Sequence, residues 1–289
     1  MNARSVSIRA RRKPGMLSTL LTGLLMLCSA CSAQQQASKI YVLSATRGCK
    51  VTTYTLDGKQ IDPEIPIGGF TCNGMVMDSD GNLLVSIRDR GVMKYDPSGR
   101  GKIFIANTGA SSIAIDAAQN VYLLIPKDMD NWLIREYRPS GAGVAWPMTI
   151  NLNNVSGIAL NKSGRLFAIS QGNAVVRMWE PDGRLLVQAI KTGDTPRAIA
   201  VGPDGKLFFA NYMSVTSFLP DGSRPLWPPL KHANPLVGGI DNPTALYVDE
   251  QGWLYIGYNS GYVGIISPDG KPKGDAFMAR EDIRAIVAR

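Results

Sequence analysis

One phrase recurs along this 289-residue chain, and its period limits the possible folds more than any other feature. The clearest copy runs from Thr195 to Gly222: TPRAIAVGPDGKLFFANYMSVTSFLPDG. It holds a short apolar strand, a Gly turn, a second apolar strand, a polar loop, a third strand and a second Gly turn. Aligning the other copies on Ile199 brings Met75, Ile113, Ile158, Leu246 and Ile286 to the same place, at steps of 38, 45, 41, 47 and 40 residues. Around each of these residues apolar and small or polar residues alternate, which is the period of a half-buried strand. A repeat of this length outranks any local reading of the sequence.

Two turns punctuate each copy. The first falls at Asp80-Gly81, Gln119-Asn120, Ser163-Gly164, Asp204-Gly205 and Gln251-Gly252. The second falls at Asp57-Gly58, Ser98-Gly99, Ser140-Gly141, Asp182-Gly183, Asp221-Gly222 and Asp269-Gly270. Gly and Asn accept the positive φ of tight hairpin turns. Pro97, Pro139, Pro181, Pro220 and Pro268 precede five of the second turns, as befits the end of an outer strand. Four strands per period predict an all-β, six-bladed β-propeller of four-stranded antiparallel blades. The chain ends on a lone first strand, residues 283–288, and begins on a lone second strand, residues 39–44. Pairing tail with head completes the sixth blade and removes two open sheet edges. A β-sandwich also suits short, evenly spaced strands, but the near-constant period argues against it.

The wording of the copies resembles the NHL and SMP-30/gluconolactonase-like propellers. Pro196-Arg197-Ala198-Ile199-Ala200-Val201 and Gly205-Lys206-Leu207-Phe208-Phe209 carry the likeness best. It covers residues 38–289 and speaks for architecture, because many functions share such a scaffold.

Residues 1–15 are basic and lack acids, and residues 16–30, MLSTLLTGLLMLCSA, are apolar and small. Together they read as a signal peptide over 1–30, too short for a comfortable membrane span. The exit Leu27-Cys28-Ser29-Ala30-Cys31 resembles the lipobox of bacterial lipoproteins, with Cys28 at a place usually held by Leu. That resemblance implies lipidation of Cys31, a tether over 31–37, and a periplasmic or outer-membrane-anchored protein. Ordinary cleavage after Ala30 or Ala33 is the other reading. The net charge of +8 includes five basic residues ahead of the apolar run. The remaining positive excess is small and scattered, so nucleic acid is not an expected partner. Contact with a membrane is expected only through the lipid anchor, and the chain is expected to be a monomer.

Export leaves Cys49 and Cys72 in an oxidising compartment. The blade arrangement puts Cys49 in the loop between strands two and three of the closing blade, and Cys72 just ahead of the next blade. The two positions share a face, so they form either a disulfide or two buried thiols.

That face collects the loops between second and third strands (middle loops) and those leading into each first strand (lead-in loops). Ligand-binding candidates there are Arg47, Arg90, Asn107, Asn154, Asn211 and Asn259, with Trp227 in the Pro-rich insertion 224–242 as an aromatic anchor. The SMP-30-like lactonases hold a divalent ion in this mouth with Glu, Asn and Asp oxygens. The likeness makes Asn73, Asn154 and Asp241 the candidate ligands for Ca²⁺ or Mg²⁺. Asn and Asp also populate such loops simply because they make turns. The virginiamycin-lyase-like propellers use a mouth His; the only histidine here is His232, which reads as a surface residue and excludes multi-His metal sites. No phosphate-binding Gly loop, nucleophile elbow or CxxC occurs. The expected function is therefore non-catalytic, without a cofactor: an envelope protein or glycan held on the loop face. A Ca²⁺- or Mg²⁺-dependent lactonase or lyase is the alternative.

Overall fold

A computed structural model describes residues 37–69, 71–128, 131–144, 148–152, 154–186, 189–223, 229–231, 233–234, 239–279 and 282–289. The described strands form six four-stranded antiparallel sheets and one short hairpin. Blade one joins the ends of the chain, in the order Ile283–Ala288, Ile40–Ser44, Lys50–Tyr54, Ile65–Pro66. The innermost strands of blades two to six are Cys72–Met77, Ser112–Ile115, Val155–Leu160, Ala198–Val201 and Pro243–Val248. Each packs beside the next, and Ile283–Ala288 packs beside both the first and the last of them, so the six close a ring. The hairpin, Ala233–Asn234 with Gly239–Ile240, belongs to the Pro-rich insertion between blades five and six.

All six aligned apolar residues lie on innermost strands. The second strands are different. Leu83–Ile87, Leu166–Ser170, Leu207–Ala210 and Leu254–Tyr258 are buried at every position. They lie mid-blade with a neighbouring blade on each side, so both faces are dry. This is why their sequences read as short continuous apolar runs bounded by turns.

The first turns share one device. The residue just after the innermost strand accepts a backbone N–H from four residues on: Asn82 to Asp78, Asn120 to Asp116, Arg165 to Asn161 and Trp253 to Asp249, each at 2.8 Å. The short polar side chain thus replaces a backbone acceptor and fixes the turn. Blade five has Gly202 there, and Asp204 takes the N–H of Lys206 instead.

The core is a set of wedges between blades, not a single centre. Between blades six and one, Ile283 and Ile286 pack with Ile40, Val42, Tyr54, Ala245, Tyr255 and Val263. Between blades one and two, Leu43, Val51 and Val287 meet Met75, Val85, Ile87 and Tyr95. Closure pairs Ile40 with Ala288, Val42 with Ile286 and Ser44 with Ile283, across a bulge between Leu43 and Ser44. Beyond the ladder, the Arg289 N–H donates to the Lys39 carbonyl at 2.9 Å, and the Ser38 N–H to the Arg289 carbonyl at 2.8 Å. Gly257 lets the C-terminal strand come this close: a Cβ there would stand 2.6 Å from Ile283 and 2.8 Å from Ile286.

Cys49 and Cys72 are joined as a disulfide, with Cα atoms 6.0 Å apart and a sequence separation of 23. It ties the middle loop of blade one to the innermost strand of blade two. Both sulfur-bearing residues are buried.

Two measurements test this account. Ile286→Ala is expected to lose about 2–5 kcal/mol of unfolding free energy in urea. Removing residues 283–289 should abolish the cooperative transition, because two wedges lose one wall. Replacing both Cys49 and Cys72 with Ser should cost about 3 kcal/mol, as expected for a loop of this length, and reducing agent should then have no further effect on the midpoint.

Candidate functional site

The two ends of the ring differ. On the turn side the blades are laced together. Lys162 in the first turn of blade four lies 2.6 Å from Glu250 in that of blade six, reaching past blade five. The Ser79 N–H donates to Gln119 at 2.8 Å, joining blades two and three. The Arg289 guanidinium occupies the space beside Gly81. Exposed pairs of this kind stabilise little; they show that blades touch on the turn side. The loop side carries the exposed functional side chains.

Polar residues just inside the loop face form a girdle between blades. Asn73 Nδ2 donates to the Ala110 carbonyl at 2.8 Å, Ser156 Oγ to Pro196 at 3.1 Å, and Thr244 Oγ1 to Ile283 at 2.8 Å. Each donor stands two residues before the aligned apolar position of its blade, and each acceptor three before that of the next. The pattern serves blades two, four and six. Ser86 adds a second bond to Ala110 at 2.8 Å.

This girdle bears on the candidate metal ligands. Asn73 uses its amide nitrogen to hold blade three. Asp241 is buried, and both of its oxygens accept from Ser260, one from the N–H at 3.3 Å and the other from the hydroxyl. Asn154 is exposed, has a φ of 50°, and donates to Gln171 at 3.3 Å. The three come from different blades and each is engaged within the protein. Asn73 and Asn154 donate through their amide nitrogens, which leaves their oxygens outside these bonds, whereas both Asp241 oxygens accept from Ser260. Among the described residues, no three His, Cys, Asp or Glu side chains are placed to hold a metal. Next to Asp241, burial and then the Asp241 charge push the Tyr258 phenol far above its ordinary pKa, so it stays neutral.

The ligand-binding candidates divide. Arg47, Arg90, Asn107 and Asn259 are exposed on the loop face. Asn211 is fully buried and donates to Thr216 at 2.9 Å, a structural role. Trp227, His232 and Cys31 lie outside the described residues, as do residues 1–36 as a whole.

Arg47 and Arg90 are brought to one short segment, the lead-in loop of blade two. Gly48 sits against Gly69, and the Cys49 N–H donates to the Gly69 carbonyl at 3.3 Å. Arg90 lies over Gly68, where a Cβ would be 3.3 Å from a guanidinium nitrogen. Arg88, also exposed, donates its N–H to Thr71 at 3.0 Å. Among the described residues, no carboxylate forms an ion pair with these three arginines. The only acidic side chain in the three loops is the exposed Asp89. Arg88 was not among the candidates chosen from the sequence. The signal that could have found it is the spacing Arg88-x-Arg90 beside Gly68-Gly69. A second exposed group is Tyr212 and Met213 in the middle loop of blade five, with Arg197 5.2 Å from the Tyr212 ring.

Comparison with known proteins places this geometry. No protein-family model matches the sequence, and no curated protein sequence matches it. Solved structures do. A protein of unknown function from Bacteroides caccae has a TM-score of 0.66 at 18% identity, covering 86% of this chain and 98% of its own. A chain in a nidogen/laminin complex has 0.65 at 14%, covering 86% and 97%. A gluconolactonase from Xanthomonas campestris has 0.58 at 16%, covering 85% and 89%. At these identities the likeness is one of fold, and the fold is the six-bladed β-propeller.

Proposed function

We propose that this chain is an exported binding protein of the bacterial cell envelope that holds an envelope protein or glycan on its loop face. The observation that carries the reading is the rim of exposed, unpaired arginines, Arg47, Arg88 and Arg90, on a disulfide-braced loop. Charged groups left unsatisfied within a chain suit a partner that satisfies them. Contacts between blades on the opposite side, such as Lys162 with Glu250 and Ser79 with Gln119, are internal to the ring. Export rests on the signal-like residues 1–30, and anchoring on lipidation of Cys31. A chain similar to this one also occurs in an assembly of nidogen with laminin, where the partners are proteins. The lactonase or lyase reading has only the fold in its favour.

The test compares the two faces. A photo-crosslinking residue at Asn107 or Asn259 should give discrete adducts in intact cells, and one at Ser79 or Asp269 should not. Adducts from the turn side alone would overturn the assignment. Metal analysis of the purified protein is expected to find no stoichiometric Ca²⁺ or Mg²⁺, and lactones should not be hydrolysed. Bound metal with turnover establishes the enzyme instead.

A further inference from the structure

We infer that the segment Ile67–Gly69, with Arg90 lying over it and Arg47 beside it, is a binding site for an oxyanion of phosphate or sulfate type. The inference deepens the reading of the loop face as the binding surface, and rests on it.

The segment is rigid before anything binds. The Ile67 N–H donates to the Cys49 carbonyl at 3.0 Å, and the Tyr95 hydroxyl donates to the Ile67 carbonyl at 2.8 Å. The Ile67 side chain is buried, and the Cys49–Cys72 disulfide holds the adjoining loop. Burial raises the Tyr95 phenol, with the Arg90 charge acting the other way, so the hydroxyl keeps its proton and remains a donor.

Past Ile67 the backbone turns outward. Gly68 and Gly69 have φ values of 71° and 89°, in the left-handed region that glycine tolerates. Side chains there are also excluded by contact, because a Cβ on Gly69 would be 3.0 Å from Ile87. Among the described residues neither Gly68 nor Gly69 has an acceptor for its N–H. Two adjacent amides without a described acceptor, with the Arg90 guanidinium beside Gly68, bring donors and positive charge to one place. Backbone N–H groups in succession favour anions, and a guanidinium presents parallel donors to an oxyanion. A tetrahedral oxyanion has enough acceptor oxygens to meet both amides and Arg90 together, which chloride has not. Asp89 is the one opposing charge in these loops.

The same chemistry is available from a soluble phosphorylated molecule and from a phosphate-bearing lipid headgroup. The experiment is an amide NMR titration of the full chain with inorganic phosphate, with sodium chloride at matched ionic strength as the control. The Gly68 and Gly69 resonances should shift with saturation in the millimolar range, and chloride should leave them in place. Arg90→Gln should weaken the apparent affinity about tenfold, equivalent to about 1.4 kcal/mol, with Arg90→Lys in between and the melting temperature unchanged. Sedimentation with phosphatidic acid vesicles separates the sources. Arg90-dependent pelleting identifies a headgroup, and its absence with phosphate binding retained identifies a soluble ligand. Shifts that never saturate, that chloride reproduces, or that Arg90→Gln leaves unaltered overturn the site. If that happens while Asn107 and Asn259 still crosslink selectively, the loop-face reading survives; if crosslinking fails too, both fall.

Discussion

The antiparallel pairing of Ile283–Ala288 with Ile40–Ser44 is the constraint on which the rest of the molecule depends. A ring of sheets has no centre to collapse upon. Each blade is stable only because its neighbours cover both of its faces, and the two blades flanking a gap would lose that cover. The last strand of the chain supplies a wall to two wedges at once, through Ile283 and Ile286 on one side and Val287 on the other. Burial of each such side chain contributes about 1.5–3 kcal/mol, so this one strand accounts for a large share of the margin typical of a domain. The disulfide lies beside the same junction and braces it from the loop side.

The second level of organisation is polar. The girdle of Asn73, Ser156 and Thr244 ties innermost strands together at alternate blades. These bonds run between residues about one repeat apart in sequence, and adjacent in space only because the ring is closed.

Much of this was legible in the sequence. The six aligned apolar residues, both sets of turns and the joining of tail to head all follow from periodicity and turn chemistry, which are local properties. The roles of individual polar residues were not legible. Asn73 and Asp241 look like ligands because Asn and Asp oxygens suit hard cations. Whether the Asp241 oxygens are free depends on Ser260, and where Asn73 turns its amide nitrogen depends on Ala110; no local pattern makes either connection. Asn211 similarly reads as a rim residue, yet it is turned into the blade toward Thr216. The hairpin at Ala233–Asn234 and Gly239–Ile240 was also missed, since a Pro-rich stretch gives no strand period. Arg88 was not singled out because its bond to Thr71 joins it to a loop distant in sequence.

The way the chain enters the ring fixes its outlook. Ile40–Ser44 runs from the turn side toward the middle loop that holds Arg47, and Ser38 is hydrogen-bonded to Arg289 at the start of that run. Ser38 and Arg289 thus meet at the turn-side end of this strand, and Arg47 follows its other end.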